Sequence, residues 1–277
     1  MLKEILSINN YPYLKFTADH DFIDKLGRVF KTYGFVLLAL IFIAAPLVSS
    51  TDYFVVHVLH FKAINKQSEF NMHKLFEKNH YFSLIYICLL GPILEETVFR
   101  LPLAFKRTPI ALGIACTAFV FGVLSVKPKF LISIFGTLCT LGIEIALVVV
   151  VFFVVKRLLP AEIQLSDRTK KWLIVLSICL FGCMHIGNFT PLQWPIIWVY
   201  PLYVVPQLCM GWLITYVRLK NGFIWGIVLH CMINSVTMVF AFGNTQPQKV
   251  TTGKYFSTRA KADSDTSVKV TPKLKTK

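Results

Sequence analysis

Six polar side chains lie inside apolar stretches of the sequence. They are Glu95, Glu96 and Arg100 in GPILEETVFR, His185 in FGCMHIGNF, and His230 and Asn234 in LHCMINS. An ionisable group inside a membrane span is costly unless it is paired or hydrated, so each is a candidate for a functional site. A carboxylate and an imidazole can together activate a water molecule, and amide or imidazole N–H groups can stabilise an oxyanion. This combination is typical of hydrolytic chemistry.

The spacing places particular side chains on one helix face. Glu96 and Arg100 are four residues apart, so we expect them to pair. Glu95 points about 100° away from Glu96 and is available to a different neighbour. His230 and Asn234 are also four residues apart. If the three segments converge, they form one site with a carboxylate, two imidazoles, an amide and a guanidinium.

Each signal alone also has a structural interpretation. A single histidine on an apolar helix face is more often a core residue than a catalytic one. A Glu–Arg pair at this spacing can simply join two helices. Glu144, in LGIEIALV, is a further carboxyl group within an apolar run, and the sequence assigns it no role.

The composition indicates that membrane helices position these groups. Of 277 residues, 55% are hydrophobic and 16% are charged, and the mean hydropathy is +0.62. Soluble proteins carry roughly 25% charged residues, so a soluble enzyme, a secreted disulfide scaffold and a disordered chain are poor fits. The net charge of +15 would suggest nucleic acid in a soluble protein. Here the basic residues flank the apolar runs, so we expect no nucleic-acid partner.

We therefore predict an all-α polytopic membrane protein with about seven or eight transmembrane helices and a site between helices inside the membrane. The apolar runs cover residues 33–50, 81–103, 109–126, 130–155, 172–187, 191–219 and 222–242. The run 191–219 contains four prolines and is either one span with a lead-in or two shorter segments. Two segments would place most Lys and Arg residues on one side, so the positive-inside rule favours eight crossings with both termini cytoplasmic.

Three ordered motifs carry a family resemblance. Glu95-Glu96-x-x-x-Arg100, Phe181-x-x-x-His185 and His230-x-x-x-Asn234 together resemble the CPBP family of intramembrane proteases, also called Abi. This family groups the type II CAAX prenyl endopeptidases with bacteriocin-processing and bacteriocin-immunity proteins. The stretch 211–222 is similar to the helix and turn that precede the last motif of the family. The resemblance covers about residues 80–240.

The apolar runs and the composition, together with the resemblance over the middle of the chain, predict a domain organisation. Residues 1–80 form an N-terminal segment with the first transmembrane helix and an interfacial amphipathic stretch over 51–80. Residues 81–243 form the CPBP-like protease core. Residues 244–277 are rich in Lys, Thr and Ser and are predicted to be a basic disordered tail. We expect a multi-pass protein of a bacterial inner membrane.

The resemblance implies roles for the six residues in an intramembrane endopeptidase. Glu95 would be the general base, and His185 would help to hold and polarise the attacking water. His230 and Asn234 would stabilise the oxyanion. Arg100 would pair with Glu96 and fix the helix that carries Glu95. The partners would be the lipid bilayer and a peptide or protein substrate, lipidated or not.

Cofactor use has two alternatives. The family has at times been described as metalloproteases, and Glu95, His185 and His230 would be the zinc ligands. However, the sequence has no HExxH helix, and Asn is a poor zinc ligand. We therefore expect no cofactor and a metal-free glutamate mechanism.

Two other functions fit parts of the pattern. A non-catalytic scaffold or bacteriocin-immunity protein of the same fold would not need the full set of polar residues. An ion-coupled transporter would use buried Glu and His as proton relays, but the inverted repeats common in transporters are not found in this sequence.

Overall fold

The computed structural model describes residues 4–5, 21–123 and 128–243, and the regular elements in these ranges are all helical. The predicted all-α class is confirmed. The α-helices are α1 Phe22–Ala39, α2 Ala45–His57, α3 Ile64–Lys78, α4 His80–Ile85, α5 Gly91–Phe99, α6 Arg107–Thr117, α7 Pro128–Leu158, α8 Asp167–Met184, α9 Tyr200–Tyr203, α10 Val205–Asn221 and α11 Phe223–Gly243.

Several helices continue through tighter or wider turns. π-Helical turns at Leu40–Ala44 and Tyr86–Leu90 join α1 to α2 and α4 to α5, and a third, Ala118–Val123, extends α6. The 3₁₀ turns are Leu101–Ala104, His185–Phe189 and Trp194–Val199. π-Helical turns occur often at functional sites, and Tyr86–Leu90 lies directly before the helix that carries both candidate glutamates.

Four helical stretches in the described ranges are long and apolar enough to cross a membrane. These are Phe22–His57, His80–Phe99, Asp167–Phe189 and Trp194–Asn221. Arg107–Gly122 and Phe223–Val239 are shorter apolar helices. The first stretch has 36 residues, a length of about 54 Å, so it extends well beyond a hydrocarbon core of about 30 Å. The protein is thus an all-α polytopic membrane protein.

Two of the predicted segments have different helix bounds in the structure. The proline-containing run 191–219 lies mostly in one candidate span, Trp194–Asn221, which agrees with the alternative of one span with a lead-in. The preference for eight crossings depended on two segments there, and the orientation of the termini stays a prediction. The amphipathic stretch over 51–80 is also not continuous, because residues 51–57 belong to α2 and a separate helix covers Ile64–Lys78.

The chain divides into two units, Met1–Met238 and Val239–Lys277. In the second unit the structure describes residues 239–243, which are helical. The predicted basic tail, 244–277, lies outside the described residues.

Helix α10 is the centre of the larger apolar core. All of its residues from Leu213 to Asn221 are buried, and α8 and α1 pack against it. A helix that is buried on every face has neighbours on all sides, which fixes it firmly in place. Gly222 ends α10 with φ +102°, a left-handed conformation that glycine adopts without strain. This residue allows the chain to turn immediately into α11.

A second apolar core fixes the start of α3. It contains Phe189, Tyr200 and Tyr203 together with residues of α2. At its edge, Asp52 Oδ1 accepts hydrogen bonds from the Tyr203 hydroxyl at 2.7 Å and from the Ile64 backbone N–H at 2.9 Å. Asp52 therefore ties α2, α9 and the first turn of α3 together.

Candidate active site

Glu96 and Arg100 pair on one face at the end of α5, as their spacing predicts. Arg100 Nη1 lies 3.1 Å from Glu96 Oε1, and both side chains are 0% exposed. A buried charge is tolerated when an opposite charge and hydrogen bonds compensate it. The pair therefore allows two ionised groups to remain inside the protein.

Glu96 also contacts the third motif, which the sequence did not predict. His230 Nδ1 lies 2.9 Å from Glu96 Oε1, and the His230 side chain is 1% exposed. A carboxylate paired with arginine accepts hydrogen bonds, so His230 Nδ1 carries the proton and donates it. The other ring nitrogen, Nε2, lies 3.6 Å from Glu95 Oε2. The two glutamates thus contact opposite nitrogens of one imidazole.

Phe181 is the residue that connects all three motifs. Arg100 Cζ lies 3.8 Å from the centre of the Phe181 ring, a cation–π contact. The same ring makes edge contacts with His185 and His230, with ring centres 4.8 and 5.7 Å away. The position of Phe181 in the motif Phe181-x-x-x-His185 was the available signal, but no site role was predicted for it.

Gly211 makes room for this arrangement. A Cβ atom at this position would lie 2.9 Å from Arg100 Nη2 and 2.9 Å from Phe181 Cδ1. Helix α10 therefore approaches the guanidinium and the aromatic ring more closely than any other residue type would allow. The glycine lies in the stretch 211–222, which resembles the helix and turn that precede the last motif of the family.

His185 stands directly after α8 and is fixed by the end of that helix. The last carbonyl groups of a helix have no partner within it, and His185 Nδ1 donates to one of them, the Phe181 carbonyl, at 2.8 Å. The neutral ring therefore presents Nε2 as an unprotonated acceptor. This is the form of histidine that can accept a proton or orient a water molecule.

Asn234 forms a hydrogen bond with the π-helical turn before α5. Its Nδ2 donates to the Ile87 carbonyl at 2.9 Å. In this turn the Gly91 N–H bonds to the Tyr86 carbonyl, and the next residue is Pro92, which has no N–H to offer Ile87. The amide of Asn234 supplies the donor that the backbone lacks there, and its second N–H stays available to another acceptor.

A cavity of about 460 Å³ opens beside these groups, and Glu95, His185 and Asn234 line it. Glu95 is 24% exposed, whereas Glu96 is 0% exposed. Among the described residues, Glu95 Oε2 and Glu96 Oε2 are both buried atoms without a hydrogen-bond partner, so exposure, and not the bonding of this oxygen, separates the two side chains. The two adjacent glutamates are thus clearly different: one faces the cavity, and the other is bonded inside the protein.

The predicted site residues lie together, whereas Glu144 lies apart from them. All six predicted residues lie in this one cluster, with His230 buried and in contact with Glu95. Glu144 is buried on α7 at 9% exposure and does not line the cavity. Asn188 and Gln207 line the cavity as well, and neither was predicted as a site residue.

A zinc ion would need Glu95, His185 and His230 as ligands. In the part of the chain that the structure describes, no three His, Cys, Asp or Glu side chains are grouped so that they could hold a metal ion. The three residues do not fit a zinc site as they stand, and no step below uses a metal.

The comparison with known families agrees with the motifs. Residues 152–236 match the family described as Type II CAAX prenyl endopeptidase Rce1-like. The match includes His185, His230 and Asn234, whereas the Glu95–Arg100 motif lies before it. No curated protein and no solved structure matches the chain. Over residues 152–236, less than half of its length, the chain is therefore similar to the Rce1-like type II CAAX prenyl endopeptidases.

Proposed function

We propose that this protein is an intramembrane endopeptidase that uses Glu95 as its general base. The observation that carries the proposal is the position of Glu95, whose side chain is 24% exposed and lines the cavity together with His185. A general base must be accessible to the water that it deprotonates. Glu95 meets this condition, and its neighbour Glu96 does not.

The first step forms the tetrahedral intermediate. A water molecule between Glu95 and His185 gives one proton to the Glu95 carboxylate, and its oxygen bonds to the carbonyl carbon of the peptide. The carbonyl oxygen then carries the negative charge. Donors placed for this charge lower the barrier most when they are fixed beforehand.

His230 and Asn234 supply those donors. With Nδ1 bonded to the Glu96 carboxylate, a protonated His230 ring donates from Nε2, and Glu96 stabilises its positive charge. Asn234 donates through the N–H of Nδ2 that the Ile87 carbonyl does not use. In the second step the C–N bond breaks, the carbonyl re-forms, and the proton on Glu95 passes to the leaving nitrogen.

The substrate is proposed from the family and the cavity. The family description names CAAX prenyl endopeptidases, and in a CAAX sequence the cysteine near the C-terminus carries the prenyl group. The cavity combines the polar groups above with apolar side chains such as Met184, Met210 and Val98. Such a lining suits a peptide with apolar residues around the bond that is cleaved.

The decisive experiment compares the wild-type chain with Glu95→Gln and Glu69→Gln in liposomes. The probes are a quenched fluorescent peptide ending in a farnesylated CAAX sequence and the same peptide without the lipid. Glu95→Gln preserves the side-chain shape but removes the base, so we expect at least a thousandfold loss of kcat. Glu69 is an exposed glutamate on α3 and serves as the matched control, with unchanged cleavage.

A second experiment identifies peptide termini in whole membranes and needs no chosen probe peptide. Termini that appear with wild type and vanish with Glu95→Gln would identify the natural cleavage sites. If both sets of termini are identical and neither probe is cleaved, the proposal fails, and a non-catalytic scaffold becomes the better account.

A further inference from the structure

Helix α3 holds the backbone turn that follows His185. Asn71 Nδ2 donates to the carbonyl oxygens of Asn188 and Thr190, at 3.0 and 2.7 Å. Gln67 Nε2 donates to the same Thr190 carbonyl at 3.1 Å and to Asn71 Oδ1 at 3.2 Å. Because a carbonyl oxygen only accepts, these contacts fix the orientation of the Asn71 amide. Both of its donors are directed at one short turn.

That turn carries His185 at its first position. The 3₁₀ turn covers His185–Phe189, and Thr190 follows it directly. The His185 ring is held by the Phe181 carbonyl on one side of this point, and Asn71 holds the end of the turn on the other side. The backbone that places His185 is therefore fixed from two different helices.

Helix α3 is itself anchored at both its start and the loop before it. Its first residue, Ile64, donates its backbone N–H to Asp52. In the loop, Lys62 and Gln193 exchange two hydrogen bonds, N–H to Oε1 at 3.2 Å and Nε2 to carbonyl at 2.9 Å. A support that is itself fixed can hold a catalytic group within a few tenths of an ångström.

The same helix also forms part of the cavity wall. Met72, next to Asn71, and Leu75, one turn later, line the cavity together with Glu95 and His185. Neither the sequence resemblance, about residues 80–240, nor the family match, residues 152–236, includes α3. The contribution of α3 is visible only in the fold.

We propose that Asn71 is a positioning residue for His185, and that α3 belongs to the active site. Asn71 sets the distance between the His185 ring and Glu95 through its two hydrogen bonds to the turn. The kinetic consequence rests on the proposed peptidase function, whereas the positioning of His185 does not. A displacement of about 1 Å in a catalytic group can cost about a hundredfold in rate.

The main test is Asn71→Asp in the full chain. The new side chain has the same size, but it sets a carboxylate oxygen against two carbonyl oxygens and pushes the turn away. We expect kcat on the farnesylated peptide to fall about ten- to a hundredfold, with KM unchanged within about twofold. Asn71→Ala should lower kcat in the same direction but less, because it removes the bonds without repulsion. Asn65→Ala, on the same helix, is the matched control and should cleave normally.

A second measurement does not depend on activity. In protein labelled with ¹⁵N-histidine, the His185 signal is identified by its absence in His185→Asn. We expect Asn71→Asp to move that signal and Asn65→Ala to leave it in place. If Asn71→Asp fails to fold, the kcat and the His185 signal of Asn71→Ala test the positioning role in its place.

The two hypotheses fail in different ways. A protein that cleaves neither probe but whose His185 signal moves in Asn71→Asp refutes the peptidase and supports the positioning role. A protein that cleaves, with kcat and the His185 signal unchanged in Asn71→Asp, refutes the positioning role alone.

Discussion

Glu96 and His230 form a buried hydrogen bond of 2.9 Å, although 134 residues separate them in the chain. Glu96 uses one oxygen for both His230 and Arg100. Its role is therefore wider than the structural pairing predicted from the Glu96–Arg100 spacing, because it also decides which nitrogen of His230 carries a proton. The same principle applies to the aspartate of serine protease triads.

Glu96→Gln should disable the enzyme without unfolding it. Glutamine is uncharged, so it removes the negative charge that stabilises the protonated His230 ring, the form that donates from Nε2 in the proposed mechanism. We expect kcat to fall at least a hundredfold. The ¹⁵N signals of His230 should report the changed protonation, and a wild-type spectrum with wild-type cleavage would contradict this role.

Arg100→Met should be strongly destabilising, because it leaves Glu96 charged and buried. Removing one partner of a buried ion pair costs about 3–5 kcal/mol. The double variant Arg100→Met/Glu96→Gln contains neither charge and should recover at least half of that loss. Denaturant unfolding in detergent micelles measures both. Additive losses would show that the two residues do not act as a pair.

Asn234→Ala should destabilise the protein by about 1–3 kcal/mol, the cost of a carbonyl left without a donor. Pro92→Ala places an N–H five residues after Ile87, where a π-helical turn can use it. In that background Asn234→Ala should cost clearly less stability, while cleavage stays lost because the oxyanion donor is still missing. If Asn234→Ala lowers the stability equally in both backgrounds, the proposed link between Pro92 and Asn234 is contradicted.

Dialysis of the proteoliposomes against a strong chelator should leave cleavage unchanged within about twofold, because no step of the mechanism needs a metal ligand set. The control is the same dialysis followed by zinc or magnesium. Loss of cleavage that zinc alone restores would overturn the metal-free mechanism.

Glu4 gives a pH-dependent contribution to stability at the start of the chain. Burial acts to raise the pKa of its carboxyl, but hydrogen bonds from Lys220 and Tyr216 outweigh burial and lower the pKa below its ordinary value of 4.5. The stabilisation is therefore complete above that value and is lost as the pH falls through the lowered pKa.

Comparison of Glu4→Gln with wild type tests this dependence. The Glu4 side chain is 47% exposed, so the difference in Tm at pH 7 should be small, on the order of 1 °C. It should disappear in acid well below pH 4.5. A difference that persists there would show that the carboxylate charge is not its cause.

The local parts of this structure could be predicted from the sequence. The Glu96–Arg100 pair follows from helix geometry, because residues four apart share a face whatever surrounds them. The helical fold follows from the long apolar runs, since backbone groups in lipid must satisfy one another. Both predictions depend on neighbours in the chain and need no knowledge of the tertiary arrangement.

The long-range contacts could not be predicted in this way. Nothing at Asn71 indicates that its partners are the carbonyls of Asn188 and Thr190, because any backbone carbonyl is an equally good acceptor. The Glu96–His230 bond has the same difficulty, since Glu95 is an equally good sequence candidate. The proline-containing run 191–219 was ambiguous because proline is compatible with both a kinked span and a loop.

The Glu96–Arg100 pair also bears on how the protein is made. At about 5–20 residues per second, a ribosome needs on the order of ten seconds to proceed from Glu96 to His230. During this interval α5 has to enter the bilayer without its later partner. Because the opposite charges lie one turn apart on the same helix, the segment brings its own counter-ion and is close to neutral when it inserts. The proposed catalytic centre is then completed only when α11 arrives, so we expect no peptidase activity from the nascent chain while it inserts into the membrane.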